Sequence, residues 1–311
     1  MTEKVTVLGA GTMGHGIAQL YAQAGYDVFL YDIKAEFLAN AVTRISTNLN
    51  MLIQEGVIGE KEKESALSHV FTTTNLEEAV KDTSFVTEAA SENLAIKFSL
   101  FKQLEELISD DTVIASNTST FSLRQLSEGF QKKDRLMITH FFNPAQIVPL
   151  VEVVKGPDTA QEMIDRTIEV LKSIGKKPVV LKKDIPGFIA NRLQAALVRE
   201  AFYLLDEGIA SAEDIDSAIT DGPGFRWSFI GPLETADFGG LDIWKSVVEN
   251  LAPVLSKEIK IPAFVEEKVQ SGNLGTKSGS GLFTYADDEE VQLKIKQRDE
   301  NFVRLAKIKN K

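Results

Sequence analysis

Hydrophobic residues in the first half of the chain gather into short β-branched runs separated by longer amphipathic stretches. Residues 5–8, 28–31, 85–87, 113–115 and 136–139 are short, apolar and bounded by turn residues, the pattern of strands. Residues 14–24 and the long polar stretch 35–65 carry helical spacing. Residues 151–154 and 179–181 add two further strands around a helix over 160–174. Strand–helix alternation of this kind predicts an α/β fold: a doubly wound, mainly parallel sheet with helices on both faces.

The pattern changes at Asp184-Ile185-Pro186-Gly187, beyond which strand signals nearly vanish. Residues 188–207 place Ile189, Leu193, Ala196, Leu197 and Leu204 on one helical side, with Gly208 at the C-cap. Ser211 is positioned as the N-cap of the next helix, with Asp214 three residues on. Further helices are expected over 232–251 and 262–270, and the charged tail from Asp287 reads as a surface helix. The expected organisation is a domain over 1–184 followed by an all-α domain over 185–311.

Length supports this division, since 311 residues amount to about two domains of ordinary size. With 34 Lys+Arg against 45 Asp+Glu, the net charge is −11, which argues against a nucleic-acid binder. There is no cysteine, and the three histidines are far too few for a site built on several of them, so no metal is expected. No apolar run approaches the roughly 18 residues of a membrane span, so no membrane association is expected. The first residues lack the layout of a signal or transit peptide, and a reducing cytoplasm is the expected location.

Gly9-Ala10-Gly11-Thr12-Met13-Gly14 fits G-x-G-x-x-G directly after a predicted strand and at the start of a predicted helix, the context that gives the pattern meaning. Gly9 permits the turn, Gly11 lets backbone approach a pyrophosphate, and Gly14 allows close helix–strand packing. The helix N-terminus then presents unpaired N–H groups to the phosphates. Asp32 closes the second predicted strand, where an acid accepts hydrogen bonds from ribose hydroxyls and disfavours a 2′-phosphate. NAD is therefore the expected cofactor, with Lys34 as a neighbouring cation that softens the preference over NADP. His15 reads as an exposed first-turn residue, and His69 as a surface residue without an acidic neighbour.

His140 lies at the C-terminal end of a predicted strand, the edge where such sheets bind ligands. Glu152 sits inside the apolar run Leu150-Val151-Glu152-Val153-Val154, where a carboxylate is costly unless paired. An imidazole oriented by a carboxylate is suited to general-base chemistry. A buried structural His–Glu bond fits the same spacing. A Ser119–His140–Glu152 hydrolytic triad is disfavoured, because no G-x-S-x-G elbow occurs and the glycine loop would go unexplained.

These features, with Glu88-Ala-Ala-Ser-Glu92-Asn93, Ser116-Asn117-Thr118-Ser119, His140-Phe-Phe-Asn143-Pro144, Asp184-Ile-Pro-Gly-Phe-Ile-Ala-Asn191-Arg192 and Gly275-Thr-Lys277-Ser-Gly-Ser-Gly281, make the chain resemble the L-3-hydroxyacyl-CoA dehydrogenase family from about residue 4 to Tyr285. The resemblance implies a Rossmann domain followed by a helical domain that forms a homodimer contact. It implies NAD-dependent oxidation of an L-3-hydroxyacyl-CoA, in fatty acid metabolism, with His140 as base and Glu152 as its orienting partner. Ser119 and Asn191 would hydrogen-bond the substrate. Gly9, Gly11, Thr12, Met13, Gly14, Asp32, Glu92, Lys97, Asn117, Ser119, Asn143 and Lys277 match cofactor-contacting or cleft-closing positions. Read without the family, Lys97 is equally a solvated helix residue and Lys277 part of a flexible turn.

Two departures bear on the substrate. CoA-using members tend to carry Ser and Lys along the arm after the second strand, whereas here Asn48 and Glu55 stand near those positions, with Lys61 and Lys63 soon after. Pro149 stands where CoA users usually have Lys, and the segment from Asp221 through Arg226 to Pro232 also differs. Both resemble relatives acting on free hydroxy acids, namely L-gulonate 3-dehydrogenase with lambda-crystallin, carnitine dehydrogenase and a pyridine-carboxylate dehydrogenase. Arg226 has the planar fork that binds a free carboxylate; capping a helix or pairing with Asp221 are its other readings. The acyl-CoA is the first expectation, a small non-CoA hydroxy acid the second, and a non-catalytic NAD(H)-holding protein the third.

Overall fold

The computed structural model describes residues 3–309. It divides into two compact units, one running through Ile189 and rejoined by the segment from Arg298, the other Ala190–Gln297. The division falls slightly beyond the sequence break at Asp184. Phe188, only 1% exposed, clusters with Leu123, Ile138 and Val154 and so ties the intervening residues to the first unit.

The first unit is built on eight strands: β1 (Lys4–Leu8), β2 (Asp27–Tyr31), β3 (Val70–Thr73), β4 (Phe85–Glu88), β5 (Val113–Ser116), β6 (Leu136–Phe141), β7 (Leu150–Lys155) and β8 (Lys177–Leu181). Their order is β3-β2-β1-β4-β5-β6-β7-β8, and every neighbouring pair is parallel except β6 and β7. The short segment 142–149 explains that exception, since a parallel return needs a crossover of a dozen or more residues. Side chains alternate between two cores. Val5, Val7, Val113 and Met137 pack on the side of the helices Gly14–Gln23 and Ala35–Gln54. Val86, Ile114 and Ile138 face Phe101 and Leu104 of the helix Leu94–Leu107. All positions of β4, β5 and β6 are buried, as expected for a sheet covered on both faces.

Two expected helices are each split at a glycine. The stretch 35–65 becomes Ala35–Gln54 and Glu60–Ser68, and 232–251 becomes Pro232–Gly239 and Leu241–Leu251. Gly56 (φ 65°) and Gly240 (φ 89°) adopt left-handed backbone that ends a helix at little steric cost. Helices at Leu76–Val80, Leu94–Leu107 and Leu123–Ser127 escaped the periodicity reading, although Asn75, Asn93 and Ser122 cap them with side-chain hydrogen bonds.

The tail helix Asp288–Lys309 is mostly exposed, as expected of a surface helix, but it is anchored on the first unit. Val303 is buried in the first unit's core, and Arg304 donates to both carboxylate oxygens of Glu55, at 3.0 and 2.6 Å. The second unit is helical, with Ala190–Asp206, Ala212–Thr220, Leu241–Leu251 and Ala263–Gln270 among its elements. Ser211 caps the second of these by accepting from Asp214 N, and Phe202 meets Phe264 edge to face. None of those four helices contains a buried residue.

Candidate active site

The glycine loop leaves β1 at the edge where the parallel strands end. Gly9 (φ 103°) has no room for a side chain, since a Cβ there would lie 2.4 Å from Ala89 O. A Cβ on Gly14 would lie 1.7 Å from Gly9 O. Gly11 differs, because a Cβ on it would meet nothing within 4 Å. The fold itself demands glycine at positions 9 and 14, whereas position 11 opens onto space, as required where a pyrophosphate approaches backbone. Thr12 is exposed and Met13 half-buried beside this opening.

Asp32 accepts from Ala10 N at 2.8 Å and from Lys34 N at 3.3 Å, so the acid that closes β2 also holds the loop. His15 is buried rather than exposed, and its Nδ1–H donates to Gly11 O at 2.9 Å. Desolvation pushes its pKa down, favouring a neutral imidazole whose task is to brace the loop. His69 also departs from expectation, for its Nδ1 lies 2.7 Å from Asp27 Oδ1.

Lys97 and Glu88 form a buried ion pair, with Nζ 2.7 and 2.9 Å from the two carboxylate oxygens. Ser116 Oγ and Ala90 N also donate to Glu88, so its charge is compensated from several directions. Lys97 is thus not a solvated helix residue; it reaches Glu92 as well, at 3.3 Å. Glu92 in turn accepts from Thr118 Oγ1, Ser119 N, Thr120 N and Thr120 Oγ1. Its desolvation opposes ionisation, but these bonds and Lys97 outweigh it and hold the carboxyl below its usual range. The outcome is a braced loop over 118–120 that leaves Ser119 exposed. Glu88 escaped the sequence reading as a site residue, though an acid at the end of an apolar strand demands a partner.

His140 and Glu152 stand opposite each other in the β6–β7 ladder, and His140 Nδ1 lies 3.0 Å from Glu152 Oε2. Because a carboxylate accepts, Nδ1 carries the proton and Nε2 is left as the acceptor. Glu152 is 1% exposed, and its Oε1 accepts from Ile189 N at 2.8 Å. The imidazole rests between Phe142 and Phe188, with ring centroids 4.6 and 5.3 Å away. Asn117 Oδ1 accepts from Phe141 N at 2.9 Å, joining the end of β5 to the residue after His140. Asn143 is exposed just beyond.

Asn191, Arg226 and Lys277 belong to the second unit. Asn191 lies in the first turn of Ala190–Asp206, and Arg226 is exposed on the short helix Pro223–Trp227. Lys277 is exposed in a turn closed by the bridge between Gly275 and Ser280. No cluster of metal-ligating side chains occurs among the described residues.

An open glycine loop beside a strand-end acid, with a carboxylate-held imidazole at the same C-terminal edge of the parallel strands, defines a dinucleotide-dependent dehydrogenase. Residues 4–185 match the NAD-binding domain of 3-hydroxyacyl-CoA dehydrogenase, and residues 187–285 match its C-terminal domain. The chain belongs to the 3-hydroxyacyl-CoA dehydrogenase family, NAD-dependent oxidoreductases acting on CH–OH groups. It is 33% identical to a 5-formyl-3-hydroxy-2-methylpyridine 4-carboxylate 5-dehydrogenase of Mesorhizobium japonicum, over 96% of this chain and 95% of that one. A solved structure of an enzyme of that name superposes with a TM-score of 0.92 at 32% identity, covering 100% of this chain and 99% of the other. Lambda-crystallin of Oryctolagus cuniculus is 35% identical over 98% of this chain and 96% of its own. The (S)-3-hydroxybutyryl-CoA dehydrogenase PaaH1 of Ralstonia eutropha superposes with a TM-score of 0.75 at 35% identity, covering 92% and 100%.

Proposed function

We propose that the protein oxidises the secondary alcohol of a free hydroxy acid with NAD, His140 acting as general base. The observation that carries the chemistry is the His140–Glu152 pair, which leaves Nε2 as the acceptor on a ring clamped by aromatic neighbours. NAD, when bound, supplies the hydride acceptor. The protein does the rest: Nε2 takes the hydroxyl proton, and Glu152 stabilises the imidazolium that results. In reduction the same imidazolium returns the proton to the oxygen. Ser119 and Asn191 are the proposed hydrogen-bond donors to the substrate, and Arg226 the proposed partner of its free carboxylate. Asp32 is the proposed ribose ligand, with Glu92, Lys97, Asn117, Asn143 and Lys277 shaping the cofactor side.

The choice of a free acid over an acyl-CoA rests on the arm after β2. Its helix Ala35–Gln54 carries a single cation, Arg44, and no lysine, and Asn48 is engaged with Gln19 at 3.0 Å. Lys61 follows in the next helix, and Lys63 beyond it is held by Asn50 Oδ1 and Glu60. A multiply charged phosphate carrier finds little there to bind. One observation keeps acyl-CoA as the second reading: Glu55 is neutralised by Arg304, so the arm's acid does not repel phosphates at full strength. NADH oxidation assayed with acetoacetyl-CoA, acetoacetate and dehydrocarnitine, beside NAD reduction with L-gulonate, separates the two. Turnover of the CoA ester alone overturns the free-acid reading, and turnover of none under any condition leaves only NAD(H) holding.

A homodimer through the helical unit is the proposed assembly. Leu233, Phe238 and Phe225 are 86%, 75% and 70% exposed in the single chain, and four helices bury nothing. Large apolar side chains exposed to this degree support an interaction surface on this unit. Sedimentation velocity is expected to give twice the chain mass; a monomer at micromolar concentration refutes it.

A further inference from the structure

A cavity of about 460 Å³ lies in the first unit, away from the glycine loop, bounded by apolar side chains that include Leu20, Leu52, Val57, Phe302 and Val303. That volume falls in the range of small-molecule pockets. Three lysines, Lys176, Lys177 and Lys309, also line it, and no carboxylate among the described residues does, in a chain whose net charge is −11. Lys176 is 5% exposed, and its Nζ donates to Ala145 O at 2.6 Å and Val148 O at 2.7 Å. An ammonium has three donors, so two carbonyls leave one, and no ion pair to Lys176 occurs among the described residues. A buried cation without an anion is costly. Desolvation accordingly pushes its pKa down to about 7. None of the chemistry proposed for His140 uses this lysine.

We infer that this cavity is a binding site for an amphiphilic monoanion, a carboxylate on a medium-length apolar chain, with the carboxylate at Lys176 and the chain along Leu20, Leu52, Val57 and Phe302. Apolar walls and a buried, uncompensated ammonium are complementary to the two halves of such a molecule. A neutral hydrocarbon would leave the cation unpaired, and a small hydrophilic anion would leave the walls unfilled. The carbonyls held by Lys176 belong to the segment joining β6 to β7, so the site shares a loop with the strands that carry His140 and Glu152.

Calorimetric titration of the full chain, saturated with NADH, with decanoate and with decanol tests this. Decanoate should bind one per chain, and Lys176→Met should weaken it about tenfold or more, the scale of a charge-assisted hydrogen bond, while decanol binding stays unchanged. Because Lys176→Met also removes two bonds to the loop, Ala306→Trp provides an independent arm: it fills the cavity from the tail helix and should abolish decanoate binding without changing NADH affinity or turnover. Absent saturation, equal affinity for decanol and decanoate, or decanoate binding that survives Ala306→Trp overturns the proposal. The outcome is independent of which hydroxy acid the enzyme oxidises.

Discussion

His140 and Glu152 share one rung of the antiparallel ladder between β6 and β7, and their side chains meet at 3.0 Å on the buried side of that rung. Glu152→Gln keeps the shape of the pair but removes the charge that stabilises an imidazolium. We expect kcat to fall about 10²-fold or more with NADH affinity nearly unchanged. Steady-state kinetics beside fluorescence titration of NADH check this, and a loss under twofold would reduce Glu152 to packing.

The glycines of the loop make separable predictions. Gly11→Ala meets open space, so the variant should melt with the wild type yet lose NADH affinity, because the methyl occupies the approach to backbone. Gly14→Ala collides with Gly9 O and should lower the melting temperature itself. Equal melting and equal NADH affinity in Gly11→Ala would remove the pyrophosphate assignment.

Lys97→Met leaves Glu88 buried without its cation. Breaking such a pair costs about 3–5 kcal/mol, so urea denaturation should show a large loss of stability. The double variant Glu88→Gln with Lys97→Met should recover much of it, since neither charge then remains. If the single variant is as stable as the wild type, the ion pair is not what organises the strand ends.

Stability should also rise with pH through Lys176. Its folded-state pKa is pushed down to about 7, whereas an unfolded lysine keeps its proton to about 10.4. Between those values the unfolded chain binds more protons than the folded one, so stability gains with rising pH and is flat on either side. Among the described residues Lys177 and Lys309 are the other ionisable groups lining the cavity, and no acid there opposes the effect. Unfolding free energy measured from pH 7 to 10 should climb more steeply in the wild type than in Lys176→Met; parallel curves would refute it.

Much of the fold was legible because strand–helix alternation and the glycine loop are local patterns. The antiparallel β6–β7 seam was not read from the sequence, although segment 142–149 is too short for a parallel crossover. The capped helices at Leu94–Leu107 and Leu123–Ser127 were missed, the first because exposed apolar residues such as Ile96 and Leu107 blur its buried Lys97, Leu100, Phe101 and Leu104 face, although Asn93 and Ser122 announce them. Glu152 could be suspected of having a partner from its apolar neighbours alone. That His69 meets Asp27 and that Lys97 is buried could not be read locally, for each depends on residues brought in from another element, whereas His15 braces the loop through Gly11 only four positions away.

By itself, then, the order of residues determined the doubly wound sheet and the NAD loop, and it singled out His140 and Glu152 as a candidate pair, because backbone geometry and nearest-neighbour burial act over a few positions. Tertiary structure alone decided which charges are compensated. Glu55 is neutralised by Arg304 from the far end of the chain, Glu88 by Lys97, and Lys176 by no acid among the described residues. Electrostatic energy depends on distance through space and on exclusion of water, and neither is written in the spacing along a chain.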